Sequence, residues 1–157
     1  MQEGLVIATD HQTEGRGKPG NKWLSPRGKN LLFSILLRPP LSPAQAPILT
    51  QIACRAVAKV LKEKYDIDSR FKRPNDVMVG SRKICGILTE ALSTSSRLEA
   101  VVIGIGLNVN SEASELPPEG VSMMILKGKA ALLDEVLNHI LAELDQKLHE
   151  LYKNMPL

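Results

Sequence analysis

The stretch "ICGILTEALSTSSRLEAVVIGIGLNVN" (residues 84–110) holds two apolar runs, 84–92 and 98–110, separated by the polar "STSSR". Short apolar runs of this kind, bounded by a polar connection, read as two strands paired with each other. Two glycines, Gly104 and Gly106, interrupt the second run. A glycine inside a strand marks a place where a ligand or another backbone comes close. Asn108, just beyond them, either reads a nucleotide or simply ends the strand.

Upstream of this pair, "DSRFKRPNDVMVGSRK" (68–83) holds two short strands around a Pro-Asn-Asp turn, followed by a Gly-Ser turn. "ILTQIACRAVAKVLKEKY" (48–65) places Leu49, Ile52, Ala53, Ala56, Val57, Val60 and Leu61 on one helical face and leaves Arg55, Lys59 and Lys62 off it. Its start is open between Ser42-Pro43 and Ala46-Pro47, since both fit a cap followed by proline at the first helical position. "GLVIATD" (4–10) reads as a short buried strand and "NLLFSILLRPP" (30–40) as another, stopped by the double proline. Downstream, a Pro/Glu/Ser loop (111–122) leads to the amphipathic helix "AALLDEVLNHILAELDQKLHELY" (130–152). The order β-loop-β-α-β-β-β-α makes the class α+β, with a mixed, mostly antiparallel sheet packed with helices. At 157 residues the chain suits a single domain, 1–157, long enough for a substantial core.

Hydrophobic content of 43% and charged content of 24% are ordinary for a globular protein. No stretch approaches the roughly 20 apolar residues of a membrane span, and no signal pattern opens the chain. Cys54 and Cys85 sit in apolar segments with no CxxC and no nearby His, which fits buried, reduced thiols in a cytoplasmic protein. His11, His139 and His149 are too scattered to form a metal-ligand cluster. The net charge of +3 is unevenly spread: residues 111–157 carry a net −4 and the first 110 carry +7. The excess lies in 14–29 (Arg16, Lys18, Lys22, Arg27, Lys29) and 70–83 (Arg70, Lys72, Arg73, Arg82, Lys83). Two like-charged loops suggest one anionic ligand at the point where they converge. Aromatic residues make up only 3% of the chain, which leaves little for stacking on nucleic-acid bases.

The loop "TDHQTEGRGKPGNKW" (9–23) is polar, basic and rich in glycine, and it lies between two apolar strands. Loops in compact domains run to a median of roughly 4–6 residues, so this one is long for a passive connection. "GRGKPG" (15–20) matches the dinucleotide pattern G-x-G-x-x-G literally, but Pro19, Gly20, Pro26 and Gly28 follow with no helical period. A pyrophosphate then has no helix N-terminus to sit on, and the dinucleotide reading fails. A P-loop fails too, because Gly20-Asn21 stands where GK[ST] is required. Gly15, Gly17 and Gly20 still allow backbone N–H groups to approach a ligand, and Arg16 and Lys18 can meet carboxylate or phosphate oxygens. In "KRPND" (72–76), a local turn is one reading. The other is Lys72 facing phosphate and Asp76 facing Mg²⁺, since magnesium usually takes one or two carboxylates plus substrate phosphates. Lys83 enters an apolar strand, which would partly enclose its ammonium.

"QTEGRGKPGNKWLSPRGKNLLFSILLRP", "KRPNDVMVGSRKICGILTE" and "VVIGIGLNVN", in this order, resemble the catalytic domain of the biotin protein ligases, over most of residues 5–110. The resemblance implies a fold of the class II aminoacyl-tRNA synthetase and biotin ligase type. It implies that biotin carboxylate attacks the α-phosphate of ATP to give biotinyl-AMP, and that a lysine of a biotin carboxyl carrier protein then attacks the mixed anhydride. By motif match, Gln12, Gly15, Arg16, Gly17 and Lys18 would hold biotin and cover the adenylate, with Trp23 packed against the ligand. Lys72, Asn75 and Asp76 would face the phosphates of ATP and Mg²⁺, with Asp76 as metal ligand. Lys83 would bond the biotin carboxyl and act with Arg16 in catalysis. Gly86 would leave room for the biotin rings, and Asn108 would reach the adenosine.

The chain departs from the family pattern at Arg73, where tryptophan is usual, and at Lys18, where arginine is common. It is expected to lack two pieces that members carry: an upstream Ser-Thr-Asn segment that helps to build the biotin pocket, and a small C-terminal β-barrel. It shows no helix-turn-helix, so DNA binding is not expected. Sheet-to-sheet dimers are common among relatives, which leaves a homodimer open. Two other readings stand beside the ligase: a lipoate or octanoate protein ligase of the same general fold, and a non-catalytic biotin-binding module.

Overall fold

Six strands form one antiparallel sheet. A computed structural model describes residues 4–17 and 19–154 of the chain. The strands are β1 (Leu5–Thr9), β2 (Leu31–Leu37), β3 (Arg70–Lys72), β4 (Asp76–Val79), β5 (Arg82–Ser93) and β6 (Leu98–Leu107); the helices are α1 (Pro47–Tyr65), α2 (Met123–Lys127) and α3 (Leu133–Lys153). In the sheet the strands lie in the order β1-β2-β6-β5-β4-β3. The hairpin that the sequence suggests at 84–110 is β5–β6, paired from Cys85 opposite Leu107 to Ser93 opposite Leu98. Alternation along these strands sends Ile87, Ile103 and Ile105 to one face, where Phe33 and Ile35 of β2 join them in a single buried cluster with residues of α1 and α3.

Helix α1 uses both proline signals in turn. Ser42 caps a short 3-10 turn over Pro43–Gln45, and Pro47 then opens the α-helix. Asp66 ends it in the left-handed region at φ 51, behind Lys62 and Lys64, which suit the negative helix end. Of the face read from the sequence, Leu49, Ala53, Ala56, Val57, Val60 and Leu61 are buried and Ile52 packs partly against the core. Cys54 is buried with them.

Three features differ from the sequence reading. The 4–10 strand is not buried: β1 pairs only with β2 at the sheet edge, Val6 packs on the core, and Leu5 and Ile7 are 41% and 63% exposed. An edge strand buries at most the face that meets the helices, so its apolar character overstates its burial. The two short strands read at 68–83 are β3 and β4, so four strands stand between α1 and the C-terminal helix, where the order β-loop-β-α-β-β-β-α counts only three. The one-turn helix α2 was not expected. It is bracketed by Ser122, whose hydroxyl accepts from Ile125 N–H, and by Gly128 at φ 71, the two signals that mark a short helix from its ends.

Candidate active site

The pairing register lines up one row of residues across all six strands: Thr9, Leu32, Gly106, Gly86, Asp76 and Lys72 are successive partners. The row lies on the face away from the helices. Its two central members are glycines, so the middle of this face is a trough in the sheet. Loop 10–29 folds over that trough. Its base is closed where Gly28 N–H donates to Asp10 O at 2.8 Å and where Arg27 meets both oxygens of Asp10. Its tip is a small hairpin: Arg16 bridges Lys22, Gly17 N–H donates to Asn21 O, and Trp23 N–H donates to Gly15 O, the last two both at 3.0 Å. A side chain on Gly15 would strike the Trp23 carbonyl, so that glycine serves a close backbone approach.

Between loop and trough is a cavity of about 210 Å³. Gln12, Arg16, Gly17, Trp23, Lys83 and Gly86 line it, together with Asn75 and Asp76. Lys83 Nζ stands 2.8 Å from Asp76 Oδ1, with both side chains largely sheltered, and 5.7 Å from the centre of the Trp23 ring. Asn75 donates its amide to Ile87 O at 2.7 Å, and its Oδ1 is buried without a partner among the described residues. Arg16 reaches across to Glu90 at 3.1 Å, an exposed pair at the cavity rim.

The two basic segments contribute unequally. The first sends Arg16 and Lys22 to the cavity; from 70–83 only Lys83 arrives among the cations, and Glu14, Asp76 and Glu90 balance the three. Lys72 ends the row on β3, exposed, and is not among the residues that line the cavity. Lys18 lies outside the described residues. Asn108 is buried at 4% exposure and does not line the cavity. Its amide donates to Val121 O at 3.2 Å. Val121 N–H in turn donates to Lys83 O at 2.9 Å, and Lys83 N–H to Glu119 O at 2.7 Å. Asn108 therefore braces the segment that fixes the backbone of Lys83.

A second brace has no counterpart in the sequence reading. Asn30, 1% exposed, accepts from Val109 N–H and the Ser111 hydroxyl, both at 2.9 Å, and donates to Ser25. It ties the end of the loop to the chain beyond β6. Its only sequence signal was an asparagine opening an apolar run, which turn chemistry explains equally well. The thiols lie on the helix side of the sheet. Burial pushes the Cys54 thiol up to about 12, with the Asp76 carboxylate adding to the shift and Lys83 opposing it. Burial likewise raises Cys85 well above the ordinary thiol range.

This helix-backed antiparallel sheet is the fold of solved biotin protein ligases. A solved biotin protein ligase from Aquifex aeolicus, in complex with biotin and ATP, matches it with a TM-score of 0.83 at 31% identity, covering 98% of this chain and 64% of that one. The chain belongs to the Biotin/lipoate A/B protein ligase family, which it matches over residues 1–108. It is 34% identical over 143 residues to the bifunctional ligase/repressor BirA of Bacillus subtilis, covering 88% of this chain and 44% of that protein. It is 28% identical over 150 residues to the biotin--[acetyl-CoA-carboxylase] ligase of Mycobacterium tuberculosis, covering 93% and 54%. The chain thus spans about half the length of these relatives.

Proposed function

We propose that this chain carries the ligase centre that activates biotin with ATP to biotinyl-AMP and transfers the biotinyl group to a lysine of a biotin carboxyl carrier protein in the cytoplasm. The observation that carries the reading is the Lys83–Asp76 pair at 2.8 Å beside the Gly86–Gly106 trough, roofed by loop 10–29. In the first step a biotin carboxylate oxygen bonds the α-phosphorus as the bond to pyrophosphate breaks. Two anions must meet for this, and a preorganised cation offsets their repulsion and the charge that develops. Lys83 is the cation placed for it. Arg16, Gly17 and Trp23 close over the mixed anhydride and keep water from it. In the second step the carrier lysine attacks the acyl carbon and AMP leaves.

A Mg²⁺ ion fits this site only as a guest of the nucleotide. Among the described residues no group of three metal-ligating side chains exists, but Asp76 and the unpartnered Asn75 Oδ1 supply two oxygens. That matches an ion whose remaining ligands are water and phosphate. When bound, it would neutralise part of the triphosphate charge. The open edge of β1, with Ile7 63% exposed, supports a homodimer.

Pyrophosphate release with ATP–Mg²⁺, measured with biotin, lipoate and octanoate, tests the reading. Biotin-dependent release is expected. Release with lipoate or octanoate alone would make this a lipoyl or octanoyl ligase, and biotin binding without release would make it a binding module.

A further inference from the structure

Gly106 has no charge and no side chain, yet it sits at the centre of the row, between Leu32 and Gly86, and the cleft is built around it. We infer that Gly106 is a positioning residue: the space left by its missing side chain fixes the Trp23 ring over the cleft and, through the ring, Lys83. A Cβ at this position would stand 2.6 Å from Cε2, 2.8 Å from Cζ2 and 2.9 Å from Nε1 of Trp23, inside any tolerable contact. The indole N–H is buried and has no acceptor among the described residues, so no hydrogen bond from them directs the ring. The bond from Trp23 N–H to Gly15 O fixes the backbone of Trp23 but not how deep its ring sits. Close packing against the strand is what remains to set that depth. Lys83 Nζ then stands 5.7 Å from the ring centre, within the range where a ring face attracts a cation.

Two neighbouring glycines sharpen the assignment. A Cβ on Gly86 would meet Trp23 Cζ3 at 3.0 Å but also Lys83 Cε at 3.1 Å and Nζ at 3.2 Å, so a change there disturbs both groups at once. Gly104 precedes Gly106 by two residues on the same face of the same strand. Its Cβ would meet only Leu88 O at 3.5 Å and Ser34 Oγ at 3.7 Å, ordinary contacts. Gly104→Ala and Gly106→Ala therefore lose the same backbone freedom and differ in the contact with Trp23.

Trp23 is the sole tryptophan, so its emission reports the ring directly. In unliganded protein, Gly106→Ala is expected to shift the emission to the red and raise acrylamide quenching, while Gly104→Ala leaves both near wild type. Gly106→Ala should also lower the melting temperature, and that loss should shrink in a Trp23→Phe background, where the clashing atoms are gone. Biotin affinity of Gly106→Ala, by titration calorimetry, should fall on the order of tenfold, as expected of an overpacked site. Identical emission from the two alanine variants would overturn the assignment. If Gly106→Ala does not fold, its recovery by Trp23→Phe supports the seat, and failure in both backgrounds overturns it. The affinity arm rests on the ligase reading, whereas emission and melting do not. A wild-type chain that ignores biotin would sink that reading and leave the seat standing or falling on its own data.

Discussion

Lys83 is held from two directions. Its backbone is pinned between Glu119 O and Val121 N–H, and its ammonium meets Asp76 at 2.8 Å beneath the Trp23 ring. Both kinds of restraint hold a cation still before a ligand arrives, the condition under which one charge contributes most to a transition state. Lys83→Ala should therefore fold but release pyrophosphate about a hundredfold more slowly, a loss of about 3 kcal/mol in activation free energy. Near-normal release by the folded variant would remove Lys83 from the chemistry. Residue-level reading of the sequence reached Lys83 and Asp76 because each is a charged side chain at a turn or strand start, whereas Gly86 was reached only through the family resemblance. It could not tell that Asn108 points into the protein, since an asparagine at a strand end looks the same whether it meets a nucleotide or a carbonyl. Gly106 was legible as a close approach, but not what approaches: the indole comes from a loop more than eighty residues away in sequence.

Loop 10–29 is the element whose motion the chemistry needs, and it is held by contacts of very different strength. At its ends are the buried Asn30 network, the Arg27–Asp10 pair and the Trp23 ring seated on the strand; at the tip beyond them, among the described residues, is the ion pair Arg16–Glu90, with side chains 71% and 51% exposed. Such a pair contributes at most about 1 kcal/mol, so the tip can open while the base stays closed. Arg16→Ala should let biotinyl-AMP escape, seen as increased labelling of lysines on added bystander protein, with little change in melting temperature. Unchanged labelling, together with a loop equally sensitive to protease with and without biotin and ATP, would exclude a lid. On the other side of the sheet, α1 and α3 are joined by Lys59–Glu143 at 2.9 Å, with Lys147 at 3.3 Å from the same carboxylate. Burial alone would raise Glu143, but its bonds to the two lysines outweigh that and hold it below the ordinary carboxylate range. A depressed acid stabilises the fold above its unfolded value and loses that contribution as pH falls through the folded one. Glu143→Gln should thus melt lower than wild type at neutral pH, with the gap closing below about pH 4. A gap that is constant with pH would mean the effect is packing, not charge. Both long helices could be read from their 3.6-residue period, whereas α2 is too short to show one.

Across the whole molecule the sheet separates two environments. Its open face carries the cleft; its helix face carries one continuous apolar cluster that includes Cys54 on α1 and Cys85 on β5, both fully buried. The thiols sit behind the same strands that present Asp76 and Lys83 to the cleft, near enough for those two charges to act on them. Two conditions then suppress thiol chemistry. A reagent cannot reach either sulfur while α1 covers the sheet, and burial holds both thiols protonated at neutral pH, where only the thiolate attacks. Reaction must wait for an opening that parts α1 from β5, so its rate measures an event close to global unfolding. In native protein both cysteines should resist Ellman's reagent, and two equivalents should react at once in denaturant. Because a ligand that binds only the folded state shifts that equilibrium, biotin with ATP–Mg²⁺ should slow the native reaction further, although no ligand touches the helix face. The slowing should grow with biotin concentration and be absent with lipoate if biotin is the preferred acid. One cysteine reacting rapidly in the native chain would show that α1 lifts from the sheet without unfolding. A native rate indifferent to biotin would mean that the cleft and the core open independently.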